Sequence, residues 1–244
     1  MDLSIKIAAT GIKYRTQSLD IAANNMANLE TPGFKSNRIY SQSFGEHMLM
    51  RIHQAEGDDV GTNTYGVTTG GEYVDLAQGG IKFTGRPLDF AINGAGFFNV
   101  SINGQTRLTR DGSFTLSEDG FLIDNNGNAI LGENGQVFIG EGDFTIFEDG
   151  TIEAADGTVS KLSITVPTNS DALTRLEDGS YLYNGAVEEF TGKIEAGALE
   201  AANTDLIDMM SSMIRDSRAF QSCSQVIKMA DQVLQKTVTE LGRV

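Results

Sequence analysis

The sequence predicts a mixed α and β fold, with N- and C-terminal α-helices packed together as a coiled-coil-like domain and a β-rich, antiparallel, hairpin-dense middle domain. Three observations predict it. Apolar residues recur at alternating three- and four-residue spacing at both ends of the chain. The middle repeats Asn-Gly and Asp-Gly dipeptides between runs of alternating apolar and polar residues. Between the first pattern and the second lies a polar stretch with neither period. The expected domains are residues 1–35 with 201–244 for the helices, 36–70 for a polar connector and 71–200 for the β-rich part.

At the N-terminus the stripe runs through Ile5, Ala8, Ile12, Arg15, Leu19, Ala22, Met26 and Leu29, and only Arg15 breaks it. Pro32 lacks an amide hydrogen and biases Thr31 toward extended geometry, so the helix is expected over about Leu3 to Glu30. Its last turns hold Asn24, Asn25 and Asn28, although asparagine is a poor helix former. A buried amide fixes register in a helical interface, because a slipped partner leaves it without hydrogen bonds. The three asparagines point in different directions around the helix, which predicts contacts with several neighbouring subunits. The competing reading is that they fray the helix before Pro32.

Residues Gln54 to Gly71, "QAEGDDVGTNTYGVTTGG", show no period and are expected as connector. Beyond them come Asn93-Gly94, Asn103-Gly104, Asp119-Gly120, Asn126-Gly127, Asp149-Gly150, Asp156-Gly157 and Asp178-Gly179. These dipeptides supply the positive φ angles of tight turns. "FFNVSINGQTRLT", "SFTLSEDGFLID" and "TIFEDGTIEA" each read as strand, turn, strand.

The C-terminal segment has no proline, and no glycine before Gly242. Asn203 or Thr204 is the expected cap, and Asp205 and Asp208 suit the positive end of the helix dipole. The seam follows Leu206, Met210, Met213, Ser217 and Phe220. After one three-residue step it continues through Cys223, Ile227, Ala230, Leu234, Thr237 and Leu241. About ten turns of amphipathic helix is long for a globular domain. The N-terminal helix alone would be marginal, so it is expected to need the C-terminal helix and neighbouring subunits to stay ordered.

Charge and composition narrow the function. With 18 Lys+Arg against 33 Asp+Glu the net charge is −15, which disfavours nucleic-acid binding. One cysteine, Cys223, allows no intramolecular disulfide. No segment approaches the apolar length of a membrane span, and the start of the chain carries no Sec-type signal pattern.

Catalytic, cofactor and metal sites are not expected. His47 and His53 have no companion ligands at usual spacing. Asp124, Asn126 and Asn128 imitate the opening of a calcium loop, but Ala129 and Gly135 replace its glycine and bidentate glutamate, so a turn is expected. "GAGFF" has Asn99 where a dinucleotide loop needs its third glycine, and Cys223 on a helix seam reads as an inert thiol.

Three ordered blocks of sequence resemble the axial proteins of the bacterial flagellum, the basal-body rod proteins of the FlgF/FlgG type in particular. "ANNMANLETPGFKS" resembles that family's N-terminal signature, "TGRPLDFAINGAGFFNV" and "LTRDGSF" its central motifs, and "GALEAANTDLIDMMSSMIRDSRAFQ" its C-terminal one. The Met-Asp start, "TPGFKS" and "TGRPLDFAI" lean toward the proximal-rod FlgF type, and Ala202-Asn203-Thr204 departs from the usual Ser-Asn-Val.

The resemblance implies a structural subunit that assembles with copies of itself and with other rod and axial proteins. Its terminal helices would line a hollow helical tube, with the β domain outside, transmitting torque and letting exported subunits pass. It also implies a place in the basal body between inner membrane and outer envelope, reached through the flagellar type III export apparatus without signal cleavage. The expected assembly residues are Ile5, Ile12, Leu19, Asn24, Asn25, Met26, Asn28, Leu29, Leu206, Met210, Met213, Phe220, Ile227, Leu234 and Leu241. The alternatives are a hook or distal-rod paralogue, and a secreted acidic cell-wall enzyme with helical oligomerisation tails. The enzyme would need a carboxyl of raised pKa in a cleft.

Overall fold

A computed structural model describes residues 2–43, 46–53, 56–64, 66–140, 142–169, 172–176 and 178–242, with the side chains of residues 2, 43–64 and 241 outside that description. The chain forms two compact units. One comprises residues 1–26, 37–73 and 205–244, the other residues 27–36 and 74–204.

The first unit contains α1 (Asp2–Ala27), four strands, namely β1 (Asn37–Ser43), β2 (Glu46–His53), β3 (Glu56–Thr64) and β4 (Val67–Val74), and α2 (Leu206–Leu241). The two helices pack against each other in antiparallel fashion. Arg15 of α1 meets Asp216 of α2 (2.6 Å), and Gly11, one turn earlier, lies where an added Cβ would touch Cys223 Sγ at 3.4 Å. Ala8 and Ala22, both on the predicted stripe, are buried, and Ile5, Ile12, Leu19 and Met26 are half-buried. Arg15, the residue that breaks the apolar stripe, is therefore a seam residue whose partner is Asp216. Ser18 donates a second hydrogen bond to that carboxylate (2.7 Å).

The α2 seam differs from the expected one in its first turns. The covered face runs through Met209, Met213, Asp216, Phe220, Cys223, Ile227 and Ala230, at unbroken four- and three-residue steps. Leu206 and Met210 are exposed. Stepping from Met213 to Ser217 passed over Asp216, so the interruption expected after Phe220 does not exist. Asp205, and neither Asn203 nor Thr204, caps the helix: its carboxylate accepts from the Ile207 and Asp208 amides. At the other end α1 stops three residues short of Glu30, where Thr31 N–H donates to Asn28 O (3.1 Å) and closes a turn.

The expected connector carries ordered strands. β1 pairs with β4, and β2 pairs antiparallel with β3 from Glu46↔Thr64 to His53↔Glu56. The β1–β4 ribbon is fastened to α1. Val67 N–H donates to Thr10 Oγ1 (3.2 Å), Thr69 Oγ1 donates to Gln17 Oε1, and Tyr40 stacks on Tyr73 at 6.4 Å. The β1–β4 ribbon holds few apolar residues and meets α1 through polar groups, which is why the sequence hides it.

The second unit holds strands β5 (Ile81–Phe83), β6 (Phe90–Asn93), β7 (Phe97–Ile102), β8 (Gln105–Thr109), β9 (Thr115–Leu116), β10 (Leu122–Ile123), β11 (Ala129–Gly132), β12 (Gly135–Gln136), β13 (Phe144–Ile146), β14 (Thr151–Ala154) and β15 (Val159–Lys161). It continues with β16 (Ile164–Pro167), β17 (Leu173–Arg175), β18 (Tyr181–Tyr183), β19 (Val187–Glu188), β20 (Lys193–Ala196) and β21 (Ala198–Glu200). Its main sheet follows the order β17-β18-β8-β7-β11-β10-β9, with β16 also on β7. Separate ladders join β13-β14-β15, β20-β6 and β21-β5. Every described strand pair is antiparallel where its register is given, and all seven glycines of the predicted turns have positive φ. Asn103 (φ 52) and Gly104 (φ 78) form the tight turn between β7 and β8 that their dipeptide predicts. β6 and the first four residues of β7 are buried on both faces, apart from exposed Asn93 at the end of β6. Phe90, Phe98 and Phe114 meet edge to face at their centre, at 5.7 and 5.2 Å.

Candidate assembly site

The polar centre of the β unit is built from segments far apart in sequence. Gly33 (φ 66) turns the chain so tightly against Arg110 that a Cβ would lie 2.2 Å from Arg110 O, and its N–H donates to Glu200 O (2.7 Å). Phe34 is then buried with the Arg175 guanidinium 4.3 Å from its ring. Lys35 follows, fully buried, donating to Glu200 Oε1 (2.7 Å) and to Ala77 O (2.8 Å). Arg110 Nε donates to Glu200 Oε2, and its other nitrogens donate to the carbonyls of Ile92, Gly94 and Gly96. Asn203 closes the group: it accepts from Ser36 N–H (2.8 Å) and donates to the carbonyls of Asp75 and Ala77.

One carboxylate thus serves two buried cations. Burial pushes the Glu200 carboxyl up, but the Arg110 charge and the Lys35 hydrogen bond and charge outweigh it and hold it below the usual glutamate value. Burial holds the Lys35 ammonium below the usual lysine value in spite of Glu200. The cluster ties the segment leaving α1 and the segment entering α2 to the same β framework, at Glu200.

Among the asparagines, Asn25 is 2% exposed, and both the nitrogen and the oxygen of its amide bond within the chain. Nδ2 donates to Asn37 O (2.8 Å) and Oδ1 accepts from Asn37 N–H (3.0 Å). Asn25 therefore fixes where β1 leaves the end of α1. Asn24 is exposed on α1, Asn28 closes the turn after it, and Leu29 is half-buried.

Along α2, Met213, Phe220 and Ile227 lie on the half-covered face, and Leu234 continues it. By helix rise α1 spans about 39 Å and α2 about 54 Å. The antiparallel register therefore leaves the last turns of α2 without α1 beside them, with Leu234 and Val238 (70%) exposed. A second apolar set, Leu206, Ile207 (73%), Met210 and Ile214, is exposed on the first turns. The side chain of Leu241, like those of His47 and His53, lies outside the described residues.

Asp124 forms the expected turn, accepting from the Asn126 and Asn128 amides. Asp111 is the carboxyl held above its ordinary value, chiefly by burial, yet its Oδ1 accepts from both Ser113 N–H and Ser113 Oγ. It shapes its own loop. No helix of the described residues is long and apolar enough to cross a membrane.

Three family models match in chain order. They are described as flagella basal body rod protein (residues 5–35), flagellar hook protein FlgE/F/G D1 domain (91–139) and flagellar basal body rod FlgEFG protein C-terminal (195–240). The chain is 31% identical to the flagellar basal-body rod protein FlgF of Caulobacter vibrioides, over 100% of both chains. It is 30% identical to the rod protein FlgG of Bacillus subtilis, over 96% of this chain and 97% of the relative. It belongs to the FlgF/FlgG-type flagellar basal-body rod proteins. The rod-protein FlgF of Rhizobium meliloti is 28% identical over 99% of each chain. Each rod-family match contains one member of the buried cluster: Lys35 in the first, Arg110 in the second and Glu200 in the third.

Lys35, Arg110 and Glu200 were not among the residues expected from sequence, and Asn203, expected as a helix cap, joins this cluster instead. The signal was present in that each sits inside a motif block.

Proposed function

We propose that this rod-family chain assembles through its terminal helices, with copies of itself and with other axial proteins, into a hollow helical tube that transmits torque. In this reading the β unit forms the outer layer and exported subunits pass along the helix-lined channel. The observation that carries it is the uncovered apolar surface of α2, at Leu206, Ile207, Met210 and Ile214 on its first turns and at Leu234 and Val238 on its last. An exposed apolar stripe of this length on an antiparallel helix pair is a surface for further helices. Ile5, Ile12, Leu19, Met26, Met213, Phe220 and Ile227 would hold the pair itself together, and Asn24 would meet neighbours.

Between the two types we assign the chain to FlgF, on "TPGFKS", "TGRPLDFAI" and the end-to-end alignment with the Caulobacter FlgF. Export would run through the flagellar type III apparatus. Deleting the gene and then supplying the full chain or a chain lacking residues 206–244 tests the assembly reading. The full chain is expected to restore rods and swimming, and the shortened one to restore neither. Restoration by the shortened chain would contradict it.

A further inference from the structure

The β unit carries 8 Lys+Arg against 21 Asp+Glu, and nearly every cation in it is already committed. Lys35 and Arg110 hold Glu200, Arg107 holds Asp178, Lys161 holds Glu133, Lys193 holds Glu148 and Arg86 lies 3.5 Å from Asp89. Arg175 covers Phe34 and donates to Lys35 O. Among the described residues Lys82 is the one cation of the unit with neither an ion pair nor a hydrogen bond. Beside it, Phe83 is 80% exposed, the largest fraction of any described large apolar side chain.

This projection is built and held. β5 pairs with β21 through Phe83↔Ala198 and Ile81↔Glu200, next to the buried cluster. The Thr84 and Gly85 amides both donate to Gly197 O (2.8 and 3.1 Å), and Thr84 Oγ1 donates to Asp89 Oδ2 (2.6 Å). A phenylalanine held in water by a fixed backbone loses little entropy when a partner covers it.

The same unit presents a surface of complementary character on β13–β15. There Ile146, Ile152 and Ser160 stand in one row, and Ile152 is in the core. The neighbouring rows, Thr145–Glu153–Val159 and Phe147–Thr151–Lys161, therefore face outward. Val159 is 60% and Phe147 48% exposed, and around them Asp149, Glu153 and Asp156 have no ion-pair partner among the described residues.

We propose that the free edge of β5 of one copy docks on the outer face of the β13–β15 sheet of a second copy, with Phe83 between Phe147 and Val159, and with Lys82, which leaves the opposite face of the strand, reaching the carboxylates there. The two patches differ, so the contact is head to tail, and such a contact repeats from copy to copy, as a helical array of subunits requires. The proposal rests on the rod-subunit reading and names the outer contact that the helices do not supply.

The test places a photoreactive benzoylphenylalanine at position 83 of the full-length chain in cells lacking the wild-type copy, irradiates them, and maps cross-links in purified basal bodies. The expected cross-link falls within residues 143–161 of a second copy. Phe83→Ser is expected to lower the chain's abundance in basal bodies at least about tenfold. Lys82→Glu is expected to lower it several-fold, and adding Glu153→Lys to restore it, with the thermal melt unchanged throughout because all three residues are exposed. Cross-links confined to the same chain, cross-links onto a different protein, or normal assembly of Phe83→Ser would each overturn the contact while leaving the rod reading in place. Basal bodies that lack the wild-type chain would overturn the rod reading and the contact with it.

Discussion

Glu200 is where the residue scale decides the most. Removing its charge leaves Lys35 and Arg110 buried and unpaired, and breaking such a cluster costs about 3–5 kcal/mol. Glu200→Gln is therefore expected to lower the β unit's melting temperature sharply in a calorimetric scan of the full chain. A change within error would mean that the cluster is not energetically coupled. The same residue predicts a pH dependence. A carboxyl whose folded pKa is depressed contributes stability that is complete above its unfolded value, here near 4.5, and is lost as pH falls through the lower folded value. The melting-temperature gap between wild type and Glu200→Gln is expected to be constant from about pH 5 to 7 and to narrow below 4.5. Asn25 belongs at this scale too. Asn25→Leu should improve helix propensity yet leave the Asn37 amide and carbonyl without their partners, so the start of β1 should lose hydrogen-exchange protection.

Elements separate what was legible in the sequence from what was not. Both helices were legible because a stripe of period near 3.5 survives one odd residue, and the hairpins were legible because Asn-Gly and Asp-Gly act locally. The α2 frame was not, since its seam passes through Asp216, whose value depends on Arg15 and Ser18 some two hundred residues away in sequence. The β1–β4 ribbon was hidden by its polarity, and the cluster of Lys35, Arg110 and Glu200 by sequence separation. Such pairings are set by topology, and a single chain's local pattern carries no record of them. At this scale the assembly reading predicts that Leu234→Asp and Val238→Asp leave the monomer's melt unchanged, because both side chains are already in water. Rod formation should nevertheless fail, as an unpaired charge would be buried between helices at a cost of several kcal/mol. Normal motility in both variants would remove the last turns of α2 from the interface.

At the scale of the whole molecule, charge and apolar surface are divided between the units. The β unit holds a net −13 of the chain's −15. The helical unit is close to neutral and displays the long apolar stripe of α2. Like-charged β units repel one another, so in the proposed assembly the driving force is apolar burial between helices and, in the contact proposed above, a local reversal of sign at Lys82. Raising ionic strength should accordingly strengthen association of the full chain, by screening the general repulsion more than it weakens the single Lys82 contact. Analytical ultracentrifugation across 50 to 500 mM salt, roughly a threefold change in Debye length, reads this directly. The central claim is that this rod protein builds its tube from the two terminal helices. Cryo-electron microscopy of basal bodies purified from cells expressing the chain tests that most directly. The expected map places α1 and α2 of successive copies innermost, around the channel, with the β units outside. A rod in which the β units line the channel, or which lacks the chain, would contradict it.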